Sequence, residues 1–91
     1  MTVTTRSEIH AAIADFIREV GQVEPDDPGF TDDADLFDAG YLDSLGIVSL
    51  TAFIEQRFRV VLTEQDLFNP RIATVTGMVE IIAARSVQQA A

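Results

Sequence analysis

Three stretches of this chain repeat their apolar residues at helical spacing, and that patterning leaves a 91-residue chain few architectures. Over 7–20, Ile9, Ile13, Phe16, Ile17 and Val20 fall on one stripe. Thr5 and Glu8 stand at capping-box spacing before it, and Gly21 offers a stop. Over 44–58, Ile47, Leu50, Ile54 and Phe58 share a face, with Phe53 on its shoulder. After Thr74, Val75, Met78, Val79 and Ile82 form a third stripe flanked by Ile81. Between the second and third, 59–62 reads as an extended connector and 63–68 as a short capped helix ended by Asn69-Pro70. The expected fold is all-α, a small four-helix bundle of three main helices and one short helix with a long first loop. A single domain over 1–91 is expected, its core about 7–84, with 85–91 a frayed tail.

The second helix has one stripe too many. Leu45, Val48 and Ala52 lie at i, i+3 and i+7, nearly opposite the Ile47/Leu50/Ile54 face. A helix in so small a bundle can hardly bury both, so one stripe is core and the other waits for a partner. Either Asp43 or Ser44 supplies the N-cap, since both side chains can accept hydrogen bonds from unpaired first-turn amides.

Residues 21–43 show no helical period. Pro25, Pro28, Gly29 and Gly40 interrupt any regular element, and a connection this long in a small domain is often functional. Phe30, Leu36, Phe37, Tyr41 and Leu42 are read as anchors tacking the loop to the core, with a short helical turn near 35–38. The loop also holds the charge. Glu24, Asp26, Asp27, Asp32, Asp33, Asp35, Asp38 and Asp43 are eight of the fifteen acids, without one base among them. The rest of the chain balances seven acids against six arginines, so the net charge of -9 belongs almost wholly to the loop.

That charge excludes several roles. Phosphate backbones and anionic membrane surfaces repel such a chain, so no nucleic acid and no membrane insertion is expected. A monomer whose partners carry basic docking surfaces is expected instead. The chain has no cysteine, which excludes thiolate catalysis and disulfides. It shows no secretory signal, and a cytoplasmic location is the expectation. His10, the single histidine, reads as a residue on the wet edge of the first helix. Nothing in the sequence pairs it with Ser44, and Leu42-Asp-Ser-Leu-Gly46 has only one glycine of a nucleophile elbow. A calcium loop begun at Asp33 fails, with Asp38 where glycine is needed and Ser44 where a bidentate acid is needed. No metal site and no catalytic residue is expected.

Asp43-Ser44-Leu45 is the remaining junction. A serine there is ordinarily a cap. Yet a hydroxyl at a helix start is exposed, and a phosphate ester on it would meet the positive end of the helix dipole. Asp43 beside it can help hold a divalent cation during phosphoryl transfer.

Leu36-Phe-Asp-Ala-Gly-Tyr-Leu-Asp-Ser-Leu-Gly-Ile-Val-Ser-Leu50 resembles the phosphopantetheine-attachment segment of acyl and peptidyl carrier proteins. Phe58-Arg-Val-Val-Leu-Thr-Glu-Gln-Asp-Leu67 and Ile72-Ala-Thr-Val75 are similar to that family's end of helix two, short helix three and start of helix four. The resemblance covers about residues 7–84. It implies a non-enzymatic carrier, and the initiating Met1 with no flanking linker makes a free-standing one the expectation. Ser44 would receive 4'-phosphopantetheine from coenzyme A through a phosphopantetheinyl transferase, with Asp43 assisting the magnesium-dependent modification. Leu45, Val48 and Ala52 would contact partners, among them an acyl- or aminoacyl-loading enzyme and a downstream synthase or transferase. Gly46, Ser49 and Gln56 stand where carriers of bacterial fatty acid synthesis typically have acids, and Arg57 offsets Glu55. The resemblance therefore implies a dedicated polyketide, nonribosomal-peptide or D-alanine-type pathway. The competing reading is a small acidic adaptor that binds through Leu45, Val48 and Ala52 with Ser44 only a cap. A Ser44 hydrolase ranks third. Phe53 and Met78 read as ordinary core rather than the lining of a cargo cavity.

Overall fold

A computed structural model describes residues 5–90, with side chains described for 5–86. Its elements are α1 (Arg6–Val20), α2 (Ser44–Phe58), α3 (Glu64–Phe68), a 3-10 turn η1 (Pro70–Ala73) and α4 (Val75–Ala90). The described residues contain no strand. This is the small helical bundle that the three stripes imply.

Each helix begins on a side chain that satisfies an otherwise unpaired amide. Thr5 Oγ1 accepts from Glu8 N at 3.1 Å and opens α1. Thr63 and Asp66 form a reciprocal capping box for α3. Asn69 Oδ1 accepts from Arg71 N, and Pro70 fills the first position of η1, where its missing N–H costs nothing. That turn is absent from the periodic reading, although the Asn-Pro pair is its local signal. Thr74 Oγ1 accepts from Gly77 N at 3.0 Å as α4 starts.

The core draws on every helical stripe. Ile9, Ile13 and Ile17 of α1, Leu50 and Ile54 of α2, and Met78 and Ile82 of α4 are all 0% exposed. Val60 from the connector and Ile72 from η1 close the lower end. Two expected core residues of α1 sit further out: Phe16 is half-buried and Val20 is 40% exposed. Phe16 stacks on Phe53 at 4.5 Å between ring centroids, and Phe58 meets Phe53 edge-on. Phe53 and Met78 are thus engaged in packing. Gly21 does end α1, but in a right-handed conformation, and Gln22 takes the positive φ of 51°.

Asp66 is buried, and its second oxygen accepts from Arg85 of α4 at 2.7 Å, so the short α3 is tied to the bundle by charge as well as packing. Arg71 and Glu80 form a second ion pair between η1 and α4. Gly77 permits their close approach: a Cβ there would stand 1.8 Å from the Arg71 carbonyl oxygen. The backbone of α4 continues helical through 85–90, where a frayed tail is expected from sequence; Ala91 lies outside the described residues.

Candidate functional site at the start of α2

The long loop reaches α2 by way of two buried leucines. Leu36 is 0% exposed and Leu42 3%, and Leu36 N donates to the Ala73 carbonyl of η1 at 2.8 Å. The amides of Tyr41 and Leu42 both donate to the Leu36 carbonyl, closing a compact turn. Near 35–38 a single helical turn is closed by one i→i+4 bond from Ala39 N to Asp35 O, and it does not extend into a helix. Phe37 is 39% exposed, so it is not the anchor its composition suggests. Phe30 and Tyr41 do pack against the core, edge-on to each other at 5.3 Å.

The loop's acids have a structural use besides charge. Asp35 Oδ1 accepts from the amides of Phe37 and Asp38, and Asp27 Oδ1 from that of Gly29. Aspartate suits these turns because its short side chain reaches backbone two residues on. Asp32 joins three elements. Its carboxylate lies 2.7 Å from His10 Nε2 of α1, and its carbonyl accepts from Thr76 N and Oγ1 of α4. His10 is thus held by Asp32, not turned to Ser44. Nothing local in the sequence signals that junction, because its partners come from three separated segments.

Asp43 settles the cap. Its backbone is extended, and its Oδ1 accepts from Gly46 N at 2.7 Å. Ser44 is the first residue of α2, exposed, and its hydroxyl has no hydrogen-bond partner among the described contacts. Outward along α2 lie Leu45, 79% exposed, Val48, 64% exposed, and Ala52, also exposed. Ala52 also lines an open groove of ~520 Å³ with Glu55, Gln56, Arg59 and Val61. The sequence pattern carries no sign of that groove, which lies where Arg59 turns the chain in a left-handed C-cap at φ 57°. Among the described residues, no three His, Asp or Glu side chains converge as a metal-binding group. No described helix is long and apolar enough to cross a membrane.

The Tyr41 phenol is displaced from its ordinary value. It is pushed up, first by its hydrogen bond to Asp27, then by partial desolvation and by the negative charge of that carboxylate.

The family model described as phosphopantetheine attachment site matches residues 8–82, most of the chain. The chain belongs to this family. A D-alanyl carrier protein of Streptococcus suis (strain 05ZYH33) is 38% identical over 56 residues, which are 57% of this chain and 71% of that protein. The family is one of carriers, not of catalysts, and its attached group is 4'-phosphopantetheine. The start of α2 suits such a group chemically. It offers an exposed primary hydroxyl, free of capping duty, at the positive end of a fifteen-residue helix.

Proposed function

We propose that Ser44 is the attachment residue and that the protein carries an acyl or aminoacyl group between enzymes of a biosynthetic pathway. One observation carries this reading. Asp43 satisfies the first-turn amide, so the Ser44 hydroxyl is left exposed and unengaged. A serine retained only as a cap would be using its oxygen, which weighs against the adaptor alternative.

Ser44 Oγ is the nucleophile in this reading. A transferase removes its proton, the oxygen bonds to the β-phosphorus of coenzyme A, and the bond to the adenosine bisphosphate leaving group breaks. Asp43 stands next to the reacting hydroxyl. Its second oxygen would be the one available to a magnesium ion, which would supply charge neutralisation of the phosphates. The amino end of α2 then favours the new phosphodiester charge. When bound, the group supplies a terminal thiol that holds cargo as a thioester, chemistry absent from a chain with no cysteine.

Leu45, Val48 and Ala52 are the partner-binding face, shared by the transferase, the acyl- or aminoacyl-loading enzyme and the downstream synthase or transferase. Residues 24–43 meet the basic rim of these partners. The pathway proposed is a dedicated polyketide, nonribosomal-peptide or D-alanine-type one, in the cytoplasm. Similarity to a D-alanyl carrier protein supports an aminoacyl cargo. So does the scarcity of acids on α2, where Glu55 is the only one.

The test is incubation with coenzyme A, magnesium and a broad-specificity phosphopantetheinyl transferase, read by intact mass. The expected outcome is a gain of one phosphopantetheinyl group that Ser44→Ala abolishes with the fold intact. No gain, or a gain that survives Ser44→Ala, overturns the proposal.

A further inference from the structure

We infer that Tyr41 is a positioning residue for the modification of Ser44, acting through a strut to the carboxyl end of α1. This rests on the reading of Ser44 as the attachment residue and adds what holds it in place.

The Ser44 side chain makes no hydrogen bond among the described contacts, so the backbone entering α2 alone decides where the hydroxyl stands. Immediately upstream, Phe37, Asp38, Ala39 and Gly40 are all exposed, and the chain returns to the protein at Tyr41 and Leu42. Leu42 drops into the core. Tyr41 reaches sideways instead, across the surface to the first half of the loop.

Several contacts converge on it. The Tyr41 hydroxyl donates to Asp27 Oδ2 at 2.8 Å, while Asp27 Oδ1 accepts from Gly29 N at 2.8 Å. Both oxygens of the carboxylate are therefore held, and it cannot follow the phenol if the loop shifts. The Phe30 ring meets Tyr41 edge-on, and Arg18 of α1 places its guanidinium 4.6 Å from the centre of that ring. The Tyr41 carbonyl itself abuts the end of α1: a Cβ on Gly21 would come within 2.6 Å of it. Finally, Tyr41 N donates to the Leu36 carbonyl at 2.9 Å. The line of contact runs from Arg18 through residues 27–30 to Tyr41, and directly from Gly21 to Tyr41, and from there to the first turn of α2.

The consequence is one of populations. A transferase meets a Ser44 already in place when the strut is closed. With the strut broken, only a fraction of molecules present the hydroxyl correctly, and apparent affinity falls by that fraction. Once bound, the enzyme restores the geometry. The effect therefore falls on KM and spares kcat.

The experiment measures initial rates of modification by a broad-specificity phosphopantetheinyl transferase with coenzyme A and magnesium, well below each variant's melting temperature. Wild type, Tyr41→Phe, Asp27→Ala, their double variant and Tyr41→Ala are compared. Tyr41→Phe is expected to raise KM by about threefold, as loss of one modest hydrogen bond does, and Asp27→Ala, which also frees the Gly29 amide, by at least as much. The double variant is expected to go no further than Asp27→Ala, because Tyr41→Phe removes nothing more once the acceptor is gone. Tyr41→Ala, which also loses the ring, is expected to raise KM by about tenfold, and Tyr41→Phe to recover most of that loss. In every case kcat stays within about twofold. Melting temperatures that fall while KM stays at the wild-type value would make Tyr41 merely structural and overturn the inference, as would additive effects of Tyr41→Phe and Asp27→Ala. If Tyr41→Ala does not fold, the Tyr41→Phe and Asp27→Ala pair still decides. Failure of the wild-type protein to gain mass strikes the Ser44 reading instead, so the two are separable.

Discussion

Leu50 and Leu45 are the same residue type on the same helix, yet one is 0% exposed and the other 79%. Ile54 and Val48 repeat the contrast, at 0% and 64%. On the inner face α2 closes a core with α1 and α4, and on the outer face the same chemistry meets only water. Burying a side chain of this size is worth about 1.5–3 kcal/mol. The outer face leaves that stabilisation unclaimed. An apolar stripe that the fold does not use begins one residue after an unengaged hydroxyl, and the role proposed for Ser44 gives that stripe a use as the surface partners would meet. The lesson is that apolar periodicity reports a helix face, and only the number of neighbours available decides whether the face is core or contact.

Substitutions can break this contrast. The largest effect on stability is expected from Leu50→Ala, which leaves a cavity where α2 meets the core and should cost about 2–5 kcal/mol in urea unfolding. A loss under about 1 kcal/mol would mean the inner face is not packed as described. Val48→Asp should do the reverse. Unfolding free energy should stay within about 0.5 kcal/mol of wild type, while turnover by a partner enzyme falls by about tenfold, the scale of one good interface contact. A collapsed fold would show the two faces to be exchanged.

The smallest effect lies outside both faces, at Tyr41 in the loop leading to α2. Its folded pKa is raised above the ordinary 10.0, so the folded state holds the phenol proton more tightly than the unfolded chain. The resulting stabilisation is complete below pH 10 and lost as pH rises through the folded value. Melting temperature is therefore expected to drop more steeply above pH 10 for wild type than for Tyr41→Phe, which has no proton to lose there. Parallel curves would show that the Asp27 bond contributes nothing.

How much of this was legible in the sequence depended on whether the relevant partner was near in the chain. Ile9, Ile13 and Ile17, like Val75, Met78 and Ile82, declare their burial through a period that lies within one helix. The outer stripe of α2 was legible for the same reason, and Ser44 is proposed as the attachment residue on its local Asp-Ser-Leu setting after the acidic loop. Within the loop the logic failed. Leu36 and Phe37 are adjacent and both apolar, and no period says which turns inward; the Leu36 amide finds its acceptor at Ala73, far along the chain. Asp32 is one acid among eight until His10 and Thr76 arrive beside it. Whether Asp43 or Ser44 caps α2 was undecidable from composition, since both can, and the extended backbone at Asp43 decides it. Val20 continues a perfect stripe but sits at the helix end, beyond the neighbours that would cover it.

The contact at Gly77 reaches further than its position suggests. Any side chain there collides with the Arg71 carbonyl and forces η1 away from α4. The same turn supplies the Ala73 carbonyl that holds Leu36, and Leu36 in turn receives the amides of Tyr41 and Leu42 just before Ser44. With Ser44 as the proposed attachment residue, a screen for chains that fold but resist modification is expected to recover lesions at this glycine alongside those at the serine. Heredity at one position is constrained by chemistry at the other, through nothing more than three consecutive backbone contacts.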